Sequence, residues 1–316
     1  MKMAKVAVLT LNPCMDRALY ISERDTLPGS SHRVEKTVEN VAGKGLNQSI
    51  VLSRLGTEPL YLSFVSENPA HLMNKTLDEL AFPTRRVPIA CGIRENIKVI
   101  DKNGIGTEFN GAGGPVREEE LNLLLSEVDK APCGILSVCG SIPSPVGKDI
   151  YRTIIARAKE RGKTVVLDTS GDALRYGLEA HPDLVKPNRQ EMAGFFGVDE
   201  TALYDKQNVA DYASLIFQKY GTAVICTLDV DGSLYVGREG IFLIDALPVP
   251  LRGFAGAGDT YLAAFIHAFF GCGKRLEQSL ALASRAAGAK ISLEGSEIPS
   301  ASLIESMPPV AVRRIG

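Results

Sequence analysis

Short apolar runs rich in β-branched residues alternate along this chain with longer stretches in which apolar positions recur at helical spacing. The runs are Lys5-Val-Ala-Val-Leu-Thr10, Leu60-Tyr-Leu-Ser-Phe-Val65, Gly134-Ile-Leu-Ser-Val-Cys139, Thr164-Val-Val-Leu-Asp168, Leu184-Val-Lys186 and Ala223-Val-Ile-Cys-Thr-Leu228. Each is short and nearly continuous, as a strand covered on both faces must be. Between them, Gly147 to Arg161 is apolar at Ile150, Ile154, Ile155 and Ala158 and stops at Gly162. Asn208 to Tyr220 repeats that design with Val209, Tyr212, Ala213, Ile216 and Phe217, ending at Gly221. Strand and helix in alternation predict βαβ crossovers and a mostly parallel sheet with helices on both faces, a three-layer α/β/α core.

Two regions break the rhythm, with strand alternation and no helix between. Arg17-Ala-Leu-Tyr-Ile-Ser22, a Pro28-Gly29 turn and His32-Arg-Val-Glu-Lys-Thr-Val38 form one; Ile93 to Asp101, an Asn103-Gly104 turn and Ile105 to Asn110 form the other. Both read as hairpins. Pairing them builds a small discontinuous β-sheet, so the expected division is a core of residues 1–10, 41–87 and 111–316 with a β lid of 11–40 and 88–110. The tail from Pro308 to Gly316 reads as frayed, with solvated arginines.

Composition narrows the function. Lys and Arg total 35 against 37 Asp and Glu, a formal charge of -2, with no basic block for nucleic acid and no acidic tail. Tyr261 to Phe270 is interrupted by His267 and is far shorter than the roughly 20 apolar residues that span a bilayer. Lys2, Lys5 and the run Val6 to Leu11 lead into Asn12-Pro13 without a small-residue cleavage site, so the expectation is a cytoplasmic protein acting on a small molecule. Six scattered cysteines without a C-x-x-C pair predict reduced thiols, and four distant histidines offer no zinc spacing.

The most concentrated chemistry lies in Gly253-Phe-Ala-Gly-Ala-Gly-Asp-Thr260, which leads straight into an apolar helical stretch. Gly256 and Gly258 allow a tight turn with bare N–H groups at a helix N-terminus, a place that binds anions. Asp259 there is either an N-cap or a base that takes a proton from a hydroxyl while the amides stabilise a transferring phosphoryl group. Asn40-Val-Ala-Gly-Lys-Gly-Leu-Asn47 is a second glycine loop before a helix, without P-loop spacing, and neither loop completes a dinucleotide fingerprint. Lys44 is either solvated or an anion ligand. Arg94-Glu-Asn96 offers a second cation, on the lid. Lys186-Pro-Asn-Arg-Gln-Glu191 reads as a capping box, with Glu191 able to hold Mg²⁺ through water. Thr227-Leu-Asp-Val-Asp-Gly232 is a turn by composition.

Taken in order, these motifs resemble the PfkB branch of the ribokinase-like carbohydrate kinases, and within it most closely the sugar-phosphate kinases. The resemblance runs from Thr10-Leu-Asn-Pro-Cys-Met-Asp16 through Thr107-Glu-Phe-Asn110 and Cys139-Gly-Ser-Ile-Pro143 to Ala286-Ala-Gly-Ala289. It implies an ATP- and Mg²⁺-dependent kinase whose base is Asp259 and whose anion hole is Gly256, Ala257 and Gly258. It further implies that Asp16, Gly43 and Asn47 hold the sugar, with Asn110 on the same side. Lys44, Arg94 and Asn96 would bind the phosphate already on the substrate, near Gly140 and Ser141. Lys186, Asn188, Thr227 and Gly232 would meet the nucleotide, and Glu191 would organise Mg²⁺. The expected substrate is a ketohexose monophosphate, fructose 1-phosphate first, with tagatose 6-phosphate and fructose 6-phosphate as alternatives. A non-catalytic sugar-phosphate sensor is the rival from another class. An exposed face of the lid sheet is the expected surface for a homodimer. Two positions depart from the family pattern: Ala42 stands for a glycine, and Asp229 for the glycine of Thr-Leu-Gly.

Overall fold

A strand sandwiched between two helical layers must be apolar at every position, and Val6–Thr10 is buried throughout. The computed structural model describes residues 4–22, 31–68, 70–103, 106–253 and 255–316. Among these, the strands and α-helices begin with β1 (Val6–Thr10), β2 (Cys14–Ile21), β3 (Val34–Ala42), α1 (Lys44–Arg54), β4 (Pro59–Ser66), α2 (Leu72–Asp78) and β5 (Thr84–Ile89). Next come β6 (Arg94–Ile100), β7 (Gly106–Asn110), α3 (Glu118–Asp129), β8 (Ile135–Cys139), α4 (Ile150–Glu160), β9 (Thr164–Asp168), α5 (Gly171–Leu178), β10 (Leu184–Val185) and α6 (Arg189–Phe196). The last part holds α7 (Lys206–Tyr220), β11 (Ala223–Thr227), β12 (Ser233–Gly237), β13 (Gly240–Ile244), α8 (Ala257–Phe265), α9 (Leu276–Ile291), α10 (Ala301–Ser306) and β14 (Val312–Arg314).

The large sheet runs β14-β13-β12-β11-β10-β9-β8-β1-β4-β5. From β11 to β5 neighbouring strands are parallel, and β12 to β14 are added antiparallel. Alternate residues of a strand face opposite layers. Ala7 and Leu9 accordingly join the core under α3 to α7, whereas Val6 and Val8 join the core under α1, α8 and α9. The predicted helices form where the periodicity places them, and α7 ends at Gly221 in the left-handed conformation that glycine adopts freely. The apolar stretch after Tyr261 divides: α8 passes into a π-helical turn, Ile266–Gly271.

The second sheet has four strands in the order β3-β2-β6-β7. Both hairpin pairings are present, and β2 joins β6 in parallel, from Cys14 beside Arg94 to Tyr20 beside Ile100. The Pro28-Gly29 turn, and Gly104 with Ile105 of the other turn, lie outside the described residues. The expected frayed tail is overturned. Val312–Arg314 is a strand on the open edge of β13, and Arg313 makes a two-pronged ion pair with Asp245. An unpaired strand edge offers a row of backbone partners, which outweighs the tail's polar composition. Among the described residues no helix is long and apolar enough to cross a membrane.

Candidate active site

In a parallel sheet the carboxyl ends of the strands share one edge, where ligand sites form. Here that edge collects Thr10, Cys139, Asp168, Val185 with Lys186 after it, and Thr227. Two helices start above it. Gly43, at φ 129°, is the N-cap of α1, and Gly256, at φ 83°, is the N-cap of α8. Both angles lie where a side chain would be strained. α1 and α8 pack together, and a hydrogen bond joins their first turns: Asn47 Nδ2 donates to Asp259 Oδ2 at 2.8 Å.

Asp259 is not the N-cap: that place is taken by Gly256, and Asp259 is the third residue of α8, 8% exposed and held by Asn47. Thr260 N is bonded to Gly256 O at 2.9 Å, so the amides of Ala257, Gly258 and Asp259 precede the first turn's hydrogen bonding. Burial, with the Asp168 charge adding to it, pushes the Asp259 carboxyl up to about 6 against the opposing pull of Lys44, Asn47 and Lys186. A carboxyl poised near neutrality, beside donors without helical partners, is suited to taking a proton as negative charge builds up next to it.

Beneath Asp259 lies a group the motifs did not single out. Asp168 is fully buried at the end of β9, with Lys44 Nζ 2.8 Å and Lys186 Nζ 3.5 Å from its Oδ1. Gln48 Nε2 reaches its Oδ2 at 3.4 Å and is itself oriented by Ser137 Oγ at 2.7 Å. Burial alone would raise the Asp168 carboxyl, but the two ammonium groups outweigh it and hold it below the usual range. Burial likewise disfavours the Lys44 ammonium, yet Asp168, Glu191 and Asp259 hold it well above the ordinary lysine value. The available signal for Asp168 was an acid closing an otherwise apolar strand run. Lys186 is buried, and a Cβ on Gly258 would come 3.2 Å from its Nζ, so this ammonium also flanks the start of α8.

Asn188 and Glu191 form the predicted capping box: Asn188 Oδ1 accepts from Glu191 N at 2.7 Å, and Glu191 Oε2 from Asn188 N at 2.9 Å. Glu191 Oε1 lies 3.4 Å from Lys44 Nζ. Asn188 pairs with Thr227 as an isolated parallel bridge, which brings those two motifs together. Gly232 closes the following turn at φ 91°, where a Cβ would come within 2.0 Å of Ile244 O. Asp229 sits at φ 54°, in the left-handed region that glycine adopts without strain, and its exposed carboxylate is 4.0 Å from Arg189.

Residues of the small sheet form a second network. Asn96 Nδ2 donates to Asp16 Oδ1 at 2.9 Å, and Lys98 Nζ lies 3.3 Å from Asp16 Oδ2. Arg94 donates to Asn96 Oδ1 at 3.1 Å, to Asn12 O at 3.2 Å and to Gly111 O at 3.3 Å. Asn12 Nδ2 reaches Ser141 Oγ at 3.0 Å, tying this network to the turn at Gly140. Asn110 is exposed on β7, opposite Asn96. Lys44 was expected beside Arg94 and Asn96, but its ammonium is bonded to Asp168 and Glu191 instead. Asn12 and Lys98 are polar members of this network that motif reading passed over. Among the described residues no three His, Cys, Asp or Glu side chains converge as a metal ligand set.

Known proteins resemble this chain in sequence and in fold. The chain is 29% identical over 262 residues to the 1-phosphofructokinase of Bacillus subtilis, covering 83% of this chain and 84% of that one. It is 27% identical over 290 residues to the 1-phosphofructokinase of Escherichia coli K12, covering 91% of each. The structure of phosphofructokinase-2 from Escherichia coli superposes with a TM-score of 0.88 at 24% identity, covering 96% of this chain and 98% of that one. The three-layer, ribokinase-like core expected from the sequence is the observed fold. The profile of the pfkB family carbohydrate kinases matches residues 9–302, and the chain belongs to that family.

Proposed function

We propose that this kinase transfers the γ-phosphoryl group of ATP to a primary hydroxyl of a ketohexose monophosphate, with fructose 1-phosphate as the leading substrate and fructose 1,6-bisphosphate as the product. The observation that carries the reading is Asp259, buried in the first turn of α8, oriented by Asn47 and titrating at about 6. Asp259 accepts the hydroxyl proton, the freed oxygen attacks the γ-phosphorus, and the bond to ADP breaks. The amides of Ala257 and Gly258, on the turn made by Gly256, receive the charge that builds up on the transferring group. Lys44 and Lys186 serve the same group from the sheet edge, since Asp168 fixes both ammonium positions.

Mg²⁺ fits the donor set as a water-mediated guest, because hard carboxylate oxygens are present without a full protein cage. Glu191 would hold the ion through water, and the ion would supply charge neutralisation across the triphosphate. Asn188, Thr227 and Gly232 take the nucleotide. On the other side Asp16, Asn47 and Gly43 hold sugar hydroxyls, and Arg94 with Asn96 binds the substrate's own phosphate, near Gly140 and Ser141. Asn110 closes this side. The small sheet serves as a lid that excludes water during transfer. Phe109 on β7 is 60% exposed, which supports a second copy covering that sheet in a homodimer.

The test is ADP release with ATP and Mg²⁺ against fructose 1-phosphate, fructose 6-phosphate, tagatose 6-phosphate, fructose and ribose. Preference for fructose 1-phosphate is expected. Turnover of free sugars alone overturns the roles of Arg94 and Asn96, and silence on all five favours a sensor.

A further inference from the structure

Lys290, in the last turn of α9, is 2% exposed. A buried ammonium is unfavourable unless it is held, and this one donates to Gly295 O at 2.9 Å. Burial is the main influence on its proton and holds it below the ordinary lysine range. Glu297 opposes that shift, Lys98 adds to it, and Asp259 opposes it. The ammonium therefore interacts electrostatically with Asp259 and with Lys98 of the small sheet.

Its stem also lies against the turn that opens α8. A Cβ placed on Gly256 would be 3.6 Å from Lys290 Cε. The strip before that turn is fastened to the chain after α9: Arg252 N and Gly253 N donate to Ile291 O at 2.8 and 3.2 Å. A Cβ on Gly253 would come within 2.7 Å of Leu293 O and 2.9 Å of Gly295 O. Residues 252–256 and 290–295 are thus laid side by side, and Lys290 reaches across the second segment beside the first. None of the roles assigned above uses this lysine.

We propose that Lys290 is a positioning residue for phosphoryl transfer, its ammonium acting as a tethered monovalent cation that holds the Gly256 turn in place and adds fixed positive charge behind it. An ammonium on a backbone carbonyl does there what a small bound cation would do. Gly256, with no side chain of its own to anchor it, gains a rigid neighbour. The amides it presents then meet the developing charge without rearranging, which is the condition under which they are most effective. The proposal rests on the kinase reading above.

Two variants separate charge from packing. Lys290→Gln keeps a donor for Gly295 O and removes the charge, and Lys290→Ala leaves a space. For Lys290→Gln the expected result is a kcat lowered about 30-fold, less than the loss of a direct oxyanion donor. KM for both substrates and ATP affinity by calorimetry stay within about threefold, as for an interaction made only in the transition state. Added methylammonium should raise kcat of Lys290→Ala several-fold and leave wild type and Lys290→Gln unchanged. Full kcat in Lys290→Gln overturns the proposal. So does a loss of kcat that tracks a loss of ATP binding. If Lys290→Gln does not fold, methylammonium decides the matter through Lys290→Ala: no gain in its Tm or kcat overturns the proposal. Wild type run in the same assay keeps the two ideas apart, since its failure on every sugar sinks the kinase reading and leaves the Tm comparison standing.

Discussion

Two helices open on glycine above one sheet edge, and their first turns carry opposite charges. A helix N-terminus behaves like about half a positive charge, so Asp259 in α8 is well placed and Lys44, the first residue of α1, is badly placed. The surroundings of the two groups favour the opposite protonation states. Lys44 is held charged by Asp168, Glu191 and Asp259, while burial and Asp168 favour the neutral form of Asp259. Burial and neighbouring charges account for the direction at both helix starts. The buried carboxylate of Asp168 acts on both: it stabilises the Lys44 cation and adds to burial in working against the Asp259 anion. One helix start becomes a lasting positive charge and the other a carboxyl that titrates near neutrality.

The largest effect should come from removing the titrating partner. Asp259→Asn is expected to lower kcat about 10³-fold, within the range for a positioned general base, with ATP binding by calorimetry retained. In wild type, log kcat should rise with slope one up to about pH 6 and then level off, because only the unprotonated carboxylate accepts a proton. In the variant that rise should vanish.

The two helix starts should also differ in tolerance to a methyl group. On Gly45 it would fall 2.0 Å from Thr10 Oγ1 and 2.9 Å from Cys139 Sγ, inside the packed seam of α1 and β1. Gly45→Ala should lower Tm by about 5–10 °C, the scale of severe overpacking in a chain this size. On Gly258 the methyl's nearest neighbour is the ammonium end of Lys186 at 3.2 Å, which needs to give by only a few tenths of an ångström. Gly258→Ala should keep its Tm and lose activity, and the reverse pattern would break the comparison.

Lys44→Met sharpens it further. With that positive charge gone, less opposes burial at Asp259, and the midpoint of the kcat profile should move above about 6. An unmoved midpoint would show that Lys44 does not act on the base. The smallest effect concerns stability. The folded-state pKa of Asp259 lies above that of an unfolded aspartate, so its contribution to stability is complete below about pH 4 and lost as pH rises through about 6. Asp259→Asn should therefore have a higher Tm than wild type at pH 8, with the advantage gone at pH 4. A constant difference across that range would contradict the linkage.

Much of this site was legible before any coordinates. Glycines before a helix, a lone Asp in the first turn and a capping box at Asn188 are local features, written within four or five residues. Asp168 was hidden because an acid ending a strand looks the same whether it faces solvent or two lysines. Lys290 closes an alanine-rich helical stretch and looks like an ordinary solvated helix end. Lys98, on an exposed-looking strand of the small sheet, acquires meaning only through Asp16, which the parallel pairing of β2 with β6 brings beside it.

The sequence by itself determined the alternation of strand and helix, the two hairpins of the small sheet, and which turns could present bare amides. These depend on periodicities of two and 3.6 residues and on glycine's freedom, all short-range properties of the chain. Tertiary structure alone decided that Lys44 answers to Asp168, 124 residues away, and that the tail completes the sheet edge. It also brought Lys290 beneath the Gly256 turn. The reason is the same in each case: a buried charge takes its role from its nearest neighbours, and strand order with helix packing chooses those neighbours from anywhere in the chain.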